Sequence, residues 1–159
     1  RIVHAAYARV AEKEGKTRSV KNRENERIWA EGQMTSRKVV QDMKKEIPSA
    51  TLDAIRTYAE GLQTIYGEAL VRITLFGSYA RGDFTDESDI DIFVIVDLAE
   101  DELIRFRKAM VHLTFETNLE YDIDIEPVIM SLEEYCRWVE THPLLKDVQK
   151  DGVSLYEAA

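Results

Sequence analysis

The sequence predicts an α/β fold, a small mixed sheet with helices packed on it, preceded by a basic, mainly helical extension. Three observations predict it. Residues 70–76 and 90–96 are short apolar runs rich in β-branched and aromatic side chains. Residues 48–67 and 100–118 repeat apolar side chains every three or four positions. Residues 121–130 alternate acidic and apolar side chains before a helix-start signal at Ser131.

The chain divides by charge. Residues 1–45 hold 12 Lys/Arg and 6 Asp/Glu, net +6, and residues 46–159 hold 9 and 24, net −15. The boundary expected from this is a leader over 1–45 and one folded domain over 46–159. In the leader, helices are expected over 2–14 (Ile2, Ala6, Val10) and from Thr35 to about 45, with a charged stretch over 19–33 between them. From Pro48, the residues Leu52, Ile55, Leu62, Ile65 and Tyr66 make one helix face, and Gly67 stops it. The run over 70–76 reads as a strand ending abruptly at Gly77. The run over 90–96, apolar but for Asp91, suits a buried central strand. Leu103, Phe106, Met110, Leu113 and Thr117 stripe the next helix. A third strand is expected over 121–130, with Pro127 placing it near a sheet edge. Ser131 and Glu134 open a final amphipathic helix as a capping box. A short strand over 152–156 ends the domain.

Composition excludes several classes of function. Hydrophobic and charged contents of 45% and 32% fit an ordinary globular domain. No apolar run reaches the roughly 20 residues of a membrane span, and the start lacks a signal-peptide pattern, so a cytoplasmic location is expected. A single cysteine, Cys136, allows neither an internal disulfide nor a Cys-rich zinc site. His4, His112 and His142 are scattered without metal-site spacing. An acidic body repels nucleic-acid backbones, so general nucleic-acid binding is disfavoured. Homo-oligomer formation is left open.

The chemistry lies in LFGSYARGDFTDESDIDIFVIV, residues 75–96. A strand running into Gly77, Ser78 and a short helical turn offers backbone N–H groups and a hydroxyl to a phosphate. Arg81 either adds positive charge there or braces the loop through an acid such as Asp83. Ser88 reads as a turn residue at the mouth of the next strand, and also stands among the nucleotide-binding candidates. Asp89 and Asp91, two apart in a strand, project to one face. Two such carboxylates on an apolar strand raise each other's proton affinity unless a cation joins them. Carboxylates plus substrate phosphates suit Mg²⁺, and a second ion would allow a two-metal in-line displacement. A third acid completes the set: Asp124 is favoured as mid-strand in an apolar setting, with Glu126 and then Asp122 as alternatives, and it would serve as metal ligand and general base.

GSYARGD and SDIDIFV, at residues 77–83 and 88–94, resemble the joined motif of the minimal nucleotidyltransferases of the DNA polymerase β superfamily, a kanamycin-nucleotidyltransferase-like domain. The resemblance implies the polymerase-β-type fold and transfer of a nucleoside monophosphate, AMP from ATP, with Mg²⁺ bound and pyrophosphate released. It implies that Gly77 and Ser78 grip the triphosphate and that Asp89 and Asp91 hold metal. It also suggests a protein acceptor. Small stand-alone members pair as antitoxins with helical ribonuclease toxins of the HEPN class, so two expectations stand: adenylylation of such a partner, or neutralisation of it by contact with little catalysis.

Overall fold

The computed structural model describes residues 47–158. The helices expected in the leader, and the boundary at residue 45, lie outside the described residues. The elements in order are α1 (Ser49–Tyr66), a single 3-10 turn (Gly67–Ala69), β1 (Leu70–Leu75), α2 (Gly77–Arg81), β2 (Ile90–Val96), α3 (Glu100–Tyr121), β3 (Ile125–Ser131), α4 (Leu132–Trp138), α5 (Pro143–Asp151) and β4 (Val153–Glu157).

The four strands form one mixed sheet in the order β3-β2-β1-β4. β1 runs antiparallel to β2 and β4, and β3 runs parallel to β2. A parallel pair needs a long crossover, and α3 supplies it. The central place of β2 explains its near-continuous apolar sequence, since both of its faces are covered. β3 is an edge strand among the described residues, where Pro127 removes an N–H at little cost.

Strand alternation sends side chains to two cores. Ile73, Leu75, Ile92 and Val94 pack with Ile55, Tyr58 and Leu62 of α1 and with Leu103, Phe106 and Leu113 of α3. Phe93 and Ile95 face the other way, onto Leu132 and Tyr135 of α4 and Leu145 and Val148 of α5. Each fully buried Leu, Ile or Phe contributes about 1.5–3 kcal/mol of transfer free energy. α1 and α3 lie antiparallel: Tyr58 Oη meets Thr114 Oγ1 at 2.8 Å, and Thr57 Oγ1 meets Tyr121 Oη at 3.2 Å. Burial pushes the Tyr58 hydroxyl up to about 12, so it stays protonated and keeps that bond at any ordinary pH.

Two expectations about elements are corrected. The third strand does not start at residue 121. α3 continues to Tyr121, Asp122 takes a left-handed conformation (φ 54, ψ 52) that ends it, and β3 begins only at Ile125. Asp122, Asp124 and Glu126 therefore do not form one strip along a strand. The final helix is also two helices. α4 stops at Trp138 and Pro143 opens α5 from its first turn, the position where proline's missing N–H is harmless. Of the capping box expected at Ser131, half is present: Ser131 Oγ accepts from the Glu134 N–H at 3.1 Å.

Among the described residues, one face of α3 is left uncovered. Ile104, Val111, Phe115 and Leu119 are 54–71% exposed, at spacings of seven and four that align them on the side away from the sheet.

Candidate active site

The chain turns sharply where β1 ends. Gly77 has φ +68, in the left-handed region that favours glycine, and begins α2. A Cβ at this position would also fall on Asp91 Oδ2. Gly77 is thus required twice, by its backbone and by the carboxylate lying against it. The Phe76 N–H donates to the Asp91 carbonyl at 3.0 Å, which fixes the turn to β2 at the same level. Ser78 is half-buried in the first turn of α2. Its carbonyl accepts from the N–H groups of Gly82 and Asp83, so α2 closes after a turn and a half.

The loop after α2 is held by its own side chains. Tyr79 and Phe84 are both buried and stack with ring centroids 4.3 Å apart and planes within 5°. Arg81 Nε donates to Asp83 Oδ2 at 3.2 Å. Ser88 Oγ accepts from the Thr85 N–H at 2.9 Å, and the Ser88 N–H donates to the Thr85 carbonyl. The Ser88 hydroxyl is engaged in this turn, which favours its turn role over a nucleotide contact. The Tyr79–Phe84 stack has no sequence signal beyond two aromatics five positions apart, and only the structure shows it.

Asp89 is exposed just before β2, and Asp91 is half-buried as its second residue. Across the parallel pair, Asp91 stands in register with Glu126. The Asp91 carboxyl is held above its ordinary value of 3.8, first by burial, then by the charges of Glu126 and Asp89, with Arg81 opposing. Glu126 in the neighbouring strand and Asp89 just before β2 thus both repel Asp91 at the mouth of the Gly77 turn.

Asp124 is placed differently. It precedes β3, is exposed, and its Oδ1 accepts from Asn118 Nδ2 at 3.3 Å. Asp122 caps α3. Among the described residues no three His, Cys, Asp or Glu side chains form a ready-made metal centre.

A glycine turn at the end of β1 thus lies against an acid at the start of β2, within an α/β domain. The comparison with known proteins names the class. The family model described as "Nucleotidyltransferase domain" matches residues 55–147, more than half of the chain, and the protein belongs to that family. It is a nucleotidyltransferase by class. Two relatives from Methanocaldococcus jannaschii, both provisionally named protein adenylyltransferases, are similar to it. One is 31% identical over 104 residues, covering 65% of this chain and 97% of the relative. The other is 33% identical over 103 residues, covering 65% and 95%. Among solved structures, a toxin–antitoxin crystallised with AMP-PNP aligns at TM-score 0.45 and 24% identity, covering 65% of this chain and 73% of that one.

Proposed function

We propose that this protein transfers AMP from ATP to a hydroxyl on a protein acceptor. The carrying observation is the register of Asp91 with Glu126 beside the Gly77 turn. In this reading Gly77 and Ser78 receive the triphosphate through their backbone N–H groups, and Arg81 lies close enough to act on Asp91 electrostatically. Asp89, Asp91 and Glu126 would hold magnesium. Glu126 replaces Asp124 as the preferred third acid, because its strand position matches that of Asp91 while Asp124 is occupied by Asn118. Bound there, Mg²⁺ (two ions in the fullest form of the reaction) would neutralise the phosphates and acidify the incoming hydroxyl.

The remaining work falls to the chain's own groups. The acceptor oxygen bonds to the α-phosphorus as the bond from that phosphorus to the β-bridging oxygen breaks. Pyrophosphate leaves, and the hydroxyl proton passes to a carboxylate of the trio, Glu126 being the most exposed to solvent on its strand. Catalysis of this kind is mainly positioning and charge neutralisation, which a small domain can supply. The names of the two archaeal relatives support a protein acceptor and adenylate as the transferred group.

Incubation with ATP labelled at the α-phosphate, with Mg²⁺ and candidate partner proteins, tests the reading. Label should appear on a partner and vanish in Asp91→Asn. Transfer that persists in Asp91→Asn overturns it.

The uncovered face of α3 favours a second reading. Four large apolar side chains on one helix face suit a protein interface. A partner held there, such as a HEPN-type toxin, could be neutralised by contact alone. Substituting Phe115→Glu should then abolish neutralisation while Asp91→Asn spares it. No described helix is long and apolar enough to cross a membrane.

A further inference from the structure

The end of α3 and the starts of β2 and β3 meet at one side chain. Asn118 lies in the last turn of α3. Its Oδ1 accepts from the Ile125 N–H at 3.0 Å, and its Nδ2 donates to Asp124 Oδ1 at 3.3 Å. The Asp124 carbonyl accepts in turn from the Ile90 N–H at 2.7 Å. Ile90 sits between Asp89 and Asp91, and it pairs in register with Ile125, one residue before Glu126. The Asn118 carbonyl also receives the N–H groups of Asp122 and Ile123.

The orientation of this amide is fixed by its neighbours. The Ile125 N–H can only donate and the ionised Asp124 carboxylate can only accept, so one assignment of oxygen and nitrogen satisfies both. Asparagine is the side chain of this length with one donor and one acceptor. Leucine of similar shape would lose both bonds, and aspartate would lose the donor and face a like charge.

β3 is an edge strand that begins at Ile125, beyond the turn at the left-handed Asp122, so β2 pairing on one side is its only ladder among the described residues. A one-residue slip would turn Glu126 to the opposite face of the sheet and take it away from Asp91. We propose that Asn118 is a positioning residue that, through Asp124 and the Ile125 N–H, locks the register bringing Glu126 beside Asp91. The inference rests on the reading of Asp91 and Glu126 given above, and it assigns Asp124 to the lock.

The test exchanges the two polar partners in the full chain. Asn118→Asp keeps the bond to Ile125 but sets two carboxylates against each other. Asp124→Asn keeps an acceptor for Asn118. The double variant N118D/D124N restores one donor and one acceptor with their places reversed. Calorimetry with Mn²⁺ and a nonhydrolysable ATP analogue reads the site, and amide hydrogen exchange at Ile90 and Ile125 reads the lock. Asn118→Asp should weaken Mn²⁺-dependent analogue binding about 10- to 100-fold, the range for losing a group that orients metal ligands. Analogue binding in EDTA should not change. Asp124→Asn should bind as the wild type does, and the double variant should recover most of the loss. Ile125 should exchange faster in Asn118→Asp and Asn118→Leu, and slow again in the double variant.

Loss of Mn²⁺-dependent binding in Asp124→Asn, with no recovery in the double variant, would make Asp124 a ligand and overturn the proposal. Unchanged exchange at Ile90 and Ile125 in Asn118→Leu would overturn it as well. If the wild type binds no Mn²⁺-analogue while exchange responds as stated, the proposed function fails and the lock stands.

Discussion

The starts of β2 and β3 carry nearly the same local sequence and take different structures. SDIDI, residues 88–92, and YDIDI, residues 121–125, both alternate acid with isoleucine. In the first, both isoleucines are buried in the sheet, at 1% and 0% exposure, and the second acid sits in the strand. In the second, Ile123 belongs to the turn after α3, and the strand opens only at Ile125. The alternation is equally regular in both. What separates them is what precedes. Ser88 ends a loop closed on Thr85, whereas Tyr121 ends a 22-residue helix whose last carbonyls must be satisfied, and the N–H groups of Asp122 and Ile123 both turn back to the Asn118 carbonyl. A two-residue period therefore identifies a strand only where the chain is free to start one.

That difference can be tested at the acids themselves. The largest effect belongs to the start of β2. Asp89→Asn or Asp91→Asn should lower AMP transfer on the order of 100- to 1000-fold, the range for removing one group that stabilises transition-state charge, measured with labelled ATP. The start of β3 should split: Glu126→Gln is expected to cost at least about 10-fold in transfer, and Asp124→Asn far less. Equal losses in those two variants would erase the distinction drawn between them.

Gly77→Ala should cost about 1–2 kcal/mol for the left-handed backbone alone, with a further loss from displacing Asp91, read as a lower denaturant midpoint and weaker nucleotide binding. The crowding of acids should also appear in stability. Because the Asp91 carboxyl is raised above 3.8 in the folded chain, the native state binds more protons than the unfolded one just above that pH. Stability from this group is complete below 3.8 and is lost as pH rises through the elevated value. Asp91→Asn should therefore melt slightly higher than the wild type at pH 7 in metal-free buffer, and Mg²⁺ with nucleotide should close the gap. The smallest effect is expected at the uncovered face of α3, where Phe115→Ser or Leu119→Ser should change stability by about 0.5 kcal/mol or less.

Much of the site was legible because its signals are local. The requirement for glycine at 77, the parity of Asp89 with Asp91, and the apolar run that buries β2 each depend on a few adjacent residues. The break at Pro143 is legible too, in the proline itself, although the amphipathic periodicity runs on across it.

The third acid was of another kind. Asp122, Asp124 and Glu126 are chemically interchangeable in the sequence, and their ranking depends on where α3 stops, on an asparagine within it, and on which residue of β3 lies across from Asp91. Those are pairings between separate elements, chosen by hydrogen-bond satisfaction and by the packing of α3 on α1. The local chain determined that a glycine turn ends β1 and that two acids stand two residues apart at the start of β2, because backbone sterics and strand parity act over two or three residues. The tertiary structure alone decided which carboxylate joins them, because register is a property of two strands and not of either one.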